Sequence, residues 1–199
     1  MLVLKIIRNH FGIQIRLTMF SILIPTFNNL EYLKLCIKSL NKNSHFKNQI
    51  ICHVNIGDDG TLKYLSDNNY DFTYTSYNSG ICEGINKASK KSKFEYFLYA
   101  HDDFYFCPDW DLILSKEIEK IEHNNFYLSG TMMKEGQIKF DCGDTLENFN
   151  EEKFLSEYKN YNYYDFQGST WAPSLVHRDI WNKVGGLSEE FFPGSGSDP

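Results

Sequence analysis

Between residues 20 and 100, short apolar runs alternate with stretches in which apolar residues recur every three or four positions. Residues 20–24, 49–56, 72–77 and 94–100 read as strands, several of them too continuously apolar to leave one face in water. Between them Leu30, Leu33, Ile37 and Leu40 repeat at helical spacing, with Asn28 or Asn29 standing where an N-cap belongs. Residues 61–66 and 81–89 read as two shorter helices. The clearest stripe, Trp110, Ile113, Leu114, Ile118 and Ile121, begins behind Pro108 and Asp109, a pair that starts helices. Four strand-then-helix units imply a largely parallel sheet covered on both faces, with ligands bound beyond the carboxyl ends of its strands.

After residue 125 the rhythm weakens. Residues 126–132 read as a strand, the Asp/Glu/Asn/Tyr-rich stretch 141–166 as loops with a short helix, and 171–176 as a strand. A helix over 178–184 then ends at Gly185-Gly186. Trp110, Trp181, Phe191 and Phe192 are expected at the core or its edge. Trp171 is assigned to the core ahead of stacking on an acceptor sugar.

The chain has 199 residues, 42% hydrophobic, enough for one sizeable core. Its net charge of −6 argues against broad nucleic-acid binding, which needs a dense basic face. The five cysteines, Cys36, Cys52, Cys82, Cys107 and Cys142, include no close pair and read as reduced thiols of a cytoplasmic protein. Residues 1–18 are basic and partly apolar, but Lys5, Arg8 and Arg16 interrupt any membrane span or signal core. They are read as an N-terminal extension before a domain over 19–199. The alternative use is weak peripheral contact with the inner membrane face.

Three polar clusters fall where three strands should end: Pro25-Thr26-Phe27-Asn28, Gly57-Asp58-Asp59-Gly60-Thr61, and His101-Asp102-Asp103. Each alone has a bland explanation, since Asp-Asp-Gly-Thr makes a good turn and cap, and an acidic pair is commonly a solvated loop. In a parallel sheet, however, all three lie along one edge, and that shared location points to a site.

With these stretches in order, the sequence resembles the family 2 glycosyltransferases of the GT-A fold. The matching residues are Phe20-Ser-Ile-Leu-Ile-Pro-Thr-Phe-Asn-Asn29, Gly57-Asp-Asp-Gly-Thr61, Asn78-Ser-Gly-Ile-Cys-Glu-Gly-Ile-Asn86, Tyr99-Ala-His-Asp-Asp103, Gly185-Gly-Leu-Ser-Glu-Glu-Phe191 and Gly196-Ser-Asp198. The resemblance implies an α/β protein, a Rossmann-like three-layer α/β/α sandwich with a mostly parallel, mixed central sheet. It implies too that related enzymes continue past Asp198 into acceptor-side elements, so that a C-terminal part is missing from these residues.

The resemblance also assigns roles. Thr26, Phe27 and Asn28 would border the nucleotide, and Asp59, with Asp58, would accept hydrogen bonds from the base or ribose; a carboxylate suits a uracil-like imide N–H. Asn78, Gly80 and Asn86 would form a turn and helix start beneath the nucleotide. Asp103, with Asp102 beside it, matches the family's acidic metal motif, with His101 in place of the usual first Asp, and carboxylates suit Mn²⁺ or Mg²⁺. His101 could ligate, titrate, or simply hydrogen-bond within the turn. Asp198 falls where the catalytic base belongs. The function implied is a metal-dependent, inverting, hexosyltransferase-like step of polysaccharide biosynthesis, from a nucleotide-diphospho-sugar (a UDP-sugar favoured) to a saccharide or glycoconjugate hydroxyl. The rivals are a nucleotidyltransferase, disfavoured because residues 25–29 lack a Gly-rich, Lys/Arg-bearing loop, and a truncated, non-catalytic nucleotide-sugar-binding domain.

Overall fold

The computed structural model describes residues 18–134, 138–161 and 172–193. Residues 1–17, Trp171 and Asp198 lie outside the described residues. The elements run β1 (Phe20–Phe27), α1 (Leu30–Asn43), β2 (Gln49–Asn55), α2 (Thr61–Asp67), β3 (Asp71–Thr75), α3 (Gly80–Ser89), β4 (Tyr96–Tyr99), α4 (Trp110–Lys120), β5 (Tyr127–Ser129), α5 (Glu151–Glu157), β6 (Ser174–His177) and α6 (Arg178–Val184). A 3₁₀ turn, Tyr158–Asn160, follows α5.

The sheet order is β3-β2-β1-β4-β6-β5. β1 is parallel to β2 and β4, and β2 to β3, as strand-helix alternation demands. β6 runs antiparallel to both its neighbours, so the sheet is mixed.

β1 has alternating side chains that supply both faces. Phe20, Ile22 and Ile24 join Leu33, Cys36, Ile37 and Leu40 of α1, Leu65 of α2, and Trp110 and Ile118 of α4. Leu23, with Ile51 of β2, meets Ile85 and Ala88 of α3 and Trp181 of α6 on the other face. Each of these fully buried aliphatic side chains contributes about 2 kcal/mol through apolar burial. A third, smaller cluster of Ile138, Phe140 and Phe154 gathers the aromatic residues of the 138–161 region.

Two expectations change on contact with the structure. β1 continues through Thr26 and Phe27 instead of ending at Ile24, although Pro25 lacks an N–H. Leu23 accepts a hydrogen bond from the Ala100 N–H at the end of β4. By the two-residue period, Pro25 faces the same side beyond that end, so no ladder bond is lost there. Phe191 and Phe192, expected at the core edge, are exposed, Phe192 by 63%. Trp110 and Trp181 are core residues.

Two of the buried polar side chains of β2, His53 and Asn55, lie beside the start of α3. His53 Nδ1 pairs with Thr73 Oγ1 at 2.8 Å, and its Nε2 faces Ser79 Oγ at 3.1 Å and Thr75 Oγ1 at 3.3 Å. Asn55 Oδ1 accepts from the Ser79 N–H (2.7 Å) and hydroxyl (2.9 Å). Buried polar groups are costly unless satisfied, and here each partner is supplied by β3 or by the turn into α3. The network therefore fixes where α3 begins.

Burial, reinforced by the positive charge of Lys87, pushes the His53 pKa from 6.5 down to about 4, against the opposing effects of Asn55 and Glu83. In the unfolded chain the imidazole takes its proton near pH 6.5; in the folded one it resists until about pH 4. Stability is thus fully present above the unfolded value and is lost as pH falls through that window. Urea denaturation is expected to show a loss of about 2 kcal/mol between pH 7.5 and pH 5, where most carboxylates stay ionised. His53→Gln should flatten that slope; an unchanged slope in the variant would assign the effect elsewhere.

Candidate functional site at the carboxyl edge of the sheet

The corner between β1 and α1 joins the acidic loops. Asn28, in the left-handed region at φ +47°, turns its Oδ1 to accept the Asp58 N–H at 3.0 Å. Asn29 Nδ2 donates to Asp102 Oδ1 at 3.1 Å. The Leu30 N–H donates to Asp59 Oδ2 at 2.8 Å. Three consecutive residues thus hold the loop after β2 and the loop after β4 against one corner.

This arrangement corrects the expectation that Asn28 or Asn29 caps α1 with its side chain. Asn29 occupies the N-cap position without a side-chain cap bond. The first helical N–H is satisfied instead by Asp59, far away in sequence, and both asparagine side chains bond to the neighbouring acidic loops. Asp59 serves two helices at once, because its Oδ1 also accepts from the Thr61 N–H (3.1 Å) and hydroxyl (2.7 Å) at the start of α2. Partial burial opposes its ionisation, but the hydrogen bonds from Thr61 and Leu30 outweigh burial and hold its pKa below the ordinary carboxylate value. Each oxygen retains lone-pair capacity for a ligand. Asp58 is exposed.

At the end of β1, the Thr26 side chain is buried and Phe27 is 49% exposed, a half-open aromatic face beside the acidic loops. Thr26 lies close enough to Asp102 to favour its charged form, yet its hydroxyl completes no hydrogen bond of normal geometry and is an orphan buried donor. Burial raises the Asp102 pKa, Asp103 adds to the rise, and Thr26, Asn29 and His101 oppose it. Asp103 itself is exposed. His101 makes a hydrogen bond through Nε2 to the Tyr99 hydroxyl at 2.7 Å and stacks on Phe104, the rings 15° from parallel. Its imidazole is therefore engaged within the turn.

Asp103 also borders a cavity of about 780 Å³ whose wall includes Tyr105, Ile113, Met132, Phe149 and Tyr158. A second cavity, about 430 Å³, lies at the opposite edge, beside Gln49, Asp71 and Lys93, where β2 and β3 begin. It is remote from the acidic loops.

Of the other expected residues, Asn78 Oδ1 accepts the Gly80 N–H at 3.0 Å, shaping the turn into α3. Gly80 has φ +77°, and a Cβ there would lie 2.8 Å from the Pro193 carbonyl oxygen. The backbone that approaches Gly80 closely is thus the protein's own. Asn86 stands well inside α3, not at its start, and its amide engages residues 187–189. Sequence reasoning missed Asn29 as the link to Asp102; the signal was a second asparagine directly after a strand-end asparagine, read only as a cap.

The six-stranded mixed sheet, covered on both faces and carrying an acidic loop after β4, has the GT-A architecture of the α/β glycosyltransferases. The family model of glycosyl transferase family 2 matches residues 21–185, and the chain belongs to that family. Among solved structures it is similar to S. aureus TarS 1–349 (TM-score 0.63, 16% identity, covering 87% of this chain and 51% of that one). The UDP complex of TarS 1–349 gives a TM-score of 0.62 at 17% identity over 91% of this chain and 53% of that one. Mannosyltransferase PcManGT from Pyrobaculum calidifontis, in complex with GDP-Man and Mn²⁺, gives 0.54 at 14% identity over 86% and 48%. The chain spans about half the length of these structures. No curated protein matches its sequence.

Because Asp59 caps α1 and α2 together, Asp59→Ala should destabilise the protein by about 1–2 kcal/mol. Asp58→Ala, which removes an exposed carboxylate, should cost under about 0.5 kcal/mol. Equal effects of the two substitutions in thermal unfolding would refute the capping role.

Proposed function

We propose that this chain forms the donor-binding part of an inverting glycosyltransferase, which moves a sugar from a nucleotide-diphospho-sugar, with a UDP-sugar favoured, to a hydroxyl of a saccharide or glycoconjugate. The observation that carries this reading is the hydrogen-bonded corner of residues 28–30, which gathers Asp58, Asp59 and Asp102 at one edge of the sheet. Membership of glycosyl transferase family 2 supports the reaction class. The TarS complexes with UDP and UDP-GlcNAc support the donor class.

In this reading Phe27 offers a stacking face, and Asp59 and Asp58 accept hydrogen bonds from the base or ribose. The orphan Thr26 hydroxyl gains a partner when donor binds beside it. Asn78 and Gly80 shape the turn on the far side of the nucleotide.

Among the described residues, no three His, Cys, Asp or Glu side chains gather as a ready-made metal cage. Asp103 and Asp102 nonetheless fit a hard cation such as Mn²⁺ or Mg²⁺ that arrives with its substrate, because such ions take one or two carboxylates and complete their shell with phosphate and water. When bound, the cation would neutralise the diphosphate and ease its departure. A positive charge there would also favour ionised Asp102, whose burial favours the neutral form.

The acceptor would enter from the 780 Å³ cavity beside Asp103. Asp198 would take its hydroxyl proton as the oxygen attacks the anomeric carbon opposite the departing nucleoside diphosphate. One displacement of that kind inverts the anomeric configuration.

Calorimetry with UDP-sugars is expected to show binding that strengthens with Mn²⁺ and weakens when EDTA removes it. Asp103→Asn should weaken the Mn²⁺-dependent binding by about tenfold or more. Identical affinity with and without the metal would remove Asp103 and the cation from this scheme. Asp198→Asn should leave donor binding intact and abolish transfer; undiminished turnover would exclude Asp198 as the base.

A further inference from the structure

α1 grips the acidic loop after β4 at two points. At its start, Asn29 Nδ2 donates to Asp102 Oδ1 at 3.1 Å. Two turns later the Cys36 thiol donates to the His101 carbonyl at 3.5 Å. Residues seven apart share a helix face, so both contacts come from one side of one rigid element.

Asn29 is itself firmly placed. Its carbonyl accepts the Leu33 N–H at 3.0 Å, the first backbone bond of α1. The residues on either side of it are bound to the loop after β2, Asn28 to the Asp58 N–H and the Leu30 N–H to Asp59. The Asn29 amide therefore reaches towards Asp102 from a fixed origin. It makes no cap bond to α1, so its bond to Asp102 is no by-product of helix capping.

Asp102 has need of such a partner. It is half-buried, whereas Asp103 beside it is exposed. Thr26 lies close, but its hydroxyl completes no hydrogen bond of normal geometry. A neutral amide holds one carboxylate oxygen without the positive charge of a lysine or arginine, which would repel a cation. A carboxylate offers about four lone-pair sites, so one amide bond leaves capacity for a metal ion.

We propose that Asn29 is a positioning residue for the divalent cation: it orients the Asp102 carboxylate for the ion and so sets the metal affinity of the site without touching metal or nucleotide. This role rests on Asp103 and Asp102 being the metal ligands, as proposed above. Partners that hydrogen-bond a metal's carboxylate ligand commonly carry about ten- to a hundredfold of its affinity.

The test is calorimetry on the full chain, with UDP titrated at a series of Mn²⁺ concentrations and in EDTA. Asn29→Ala is expected to raise the Mn²⁺ concentration needed for half-maximal UDP binding about tenfold or more, with UDP affinity in EDTA and melting temperature little changed. Asn29→Ser, a good N-cap residue too short to reach Asp102, should do the same, and it replaces the alanine variant should that fail to fold. Adding Asn29→Ala to Asp102→Ala should raise the Mn²⁺ requirement no further, because the amide acts through that carboxylate. An unchanged Mn²⁺ requirement, an equal loss of UDP affinity with and without Mn²⁺, or a full further loss in the Asp102→Ala background would overturn the inference while leaving the cation reading in place. A wild-type chain whose UDP binding is indifferent to Mn²⁺ would remove the cation reading, and this inference with it.

Discussion

The carboxyl edge of the sheet depends on one corner. Parallel strands bring the ends of β1, β2 and β4 to the same side of the molecule, but that alone leaves the acidic loops free to point anywhere. Asn28, Asn29 and Leu30 remove the freedom, because each makes one hydrogen bond to a different acidic residue. Bonds with a charged partner contribute about 1.5–3 kcal/mol each, so two of the three are worth more than an ordinary turn contact. One of them, from the Leu30 N–H to Asp59, also caps α1, so site geometry and helix stability share that carboxylate.

On the opposite face, α3 is held from below and loaded from above. Beneath it, the His53 and Asn55 network fastens the Ser79 turn, and Gly84 lets the helix sit so near that a Cβ would lie 2.6 Å from His53 Cδ2. Above it, Asn86 and the Ile81 N–H receive the 187–193 segment. α3 therefore links the buried polar layer to residues 187–193. Its own solvent face is occupied by the Glu83–Lys87 ion pair and by Tyr77, whose hydroxyl donates to Glu83.

Much of this was legible in the residues. The apolar runs of β1 and β2 and the helical stripes of α1 and α4 fell within a few residues of their observed limits, since burial on two faces or one leaves a strong periodic trace. The ends moved where long-range bonds decide. β4 starts at Tyr96 and not at residue 94, because the Phe94 N–H goes to Ser21 Oγ and its carbonyl accepts from Arg178. β3 stops at Thr75, whose hydroxyl turns to the Tyr77 carbonyl and Asn55. The antiparallel course of β6 left no trace, since an apolar run of four residues carries no direction.

By itself the amino-acid order determined the α/β class, the alternation of strand and helix and which polar clusters would share an edge, because periodicity is a local property and successive strand–helix units build a parallel sheet, while the family was legible only as a resemblance carried by the motifs. The tertiary structure decided what the polar side chains do. It gave Asp59 to two helices, Asn29 to Asp102 and Asn86 to Leu187, because a hydrogen bond depends on distances of about 3 Å between groups that folding alone brings together.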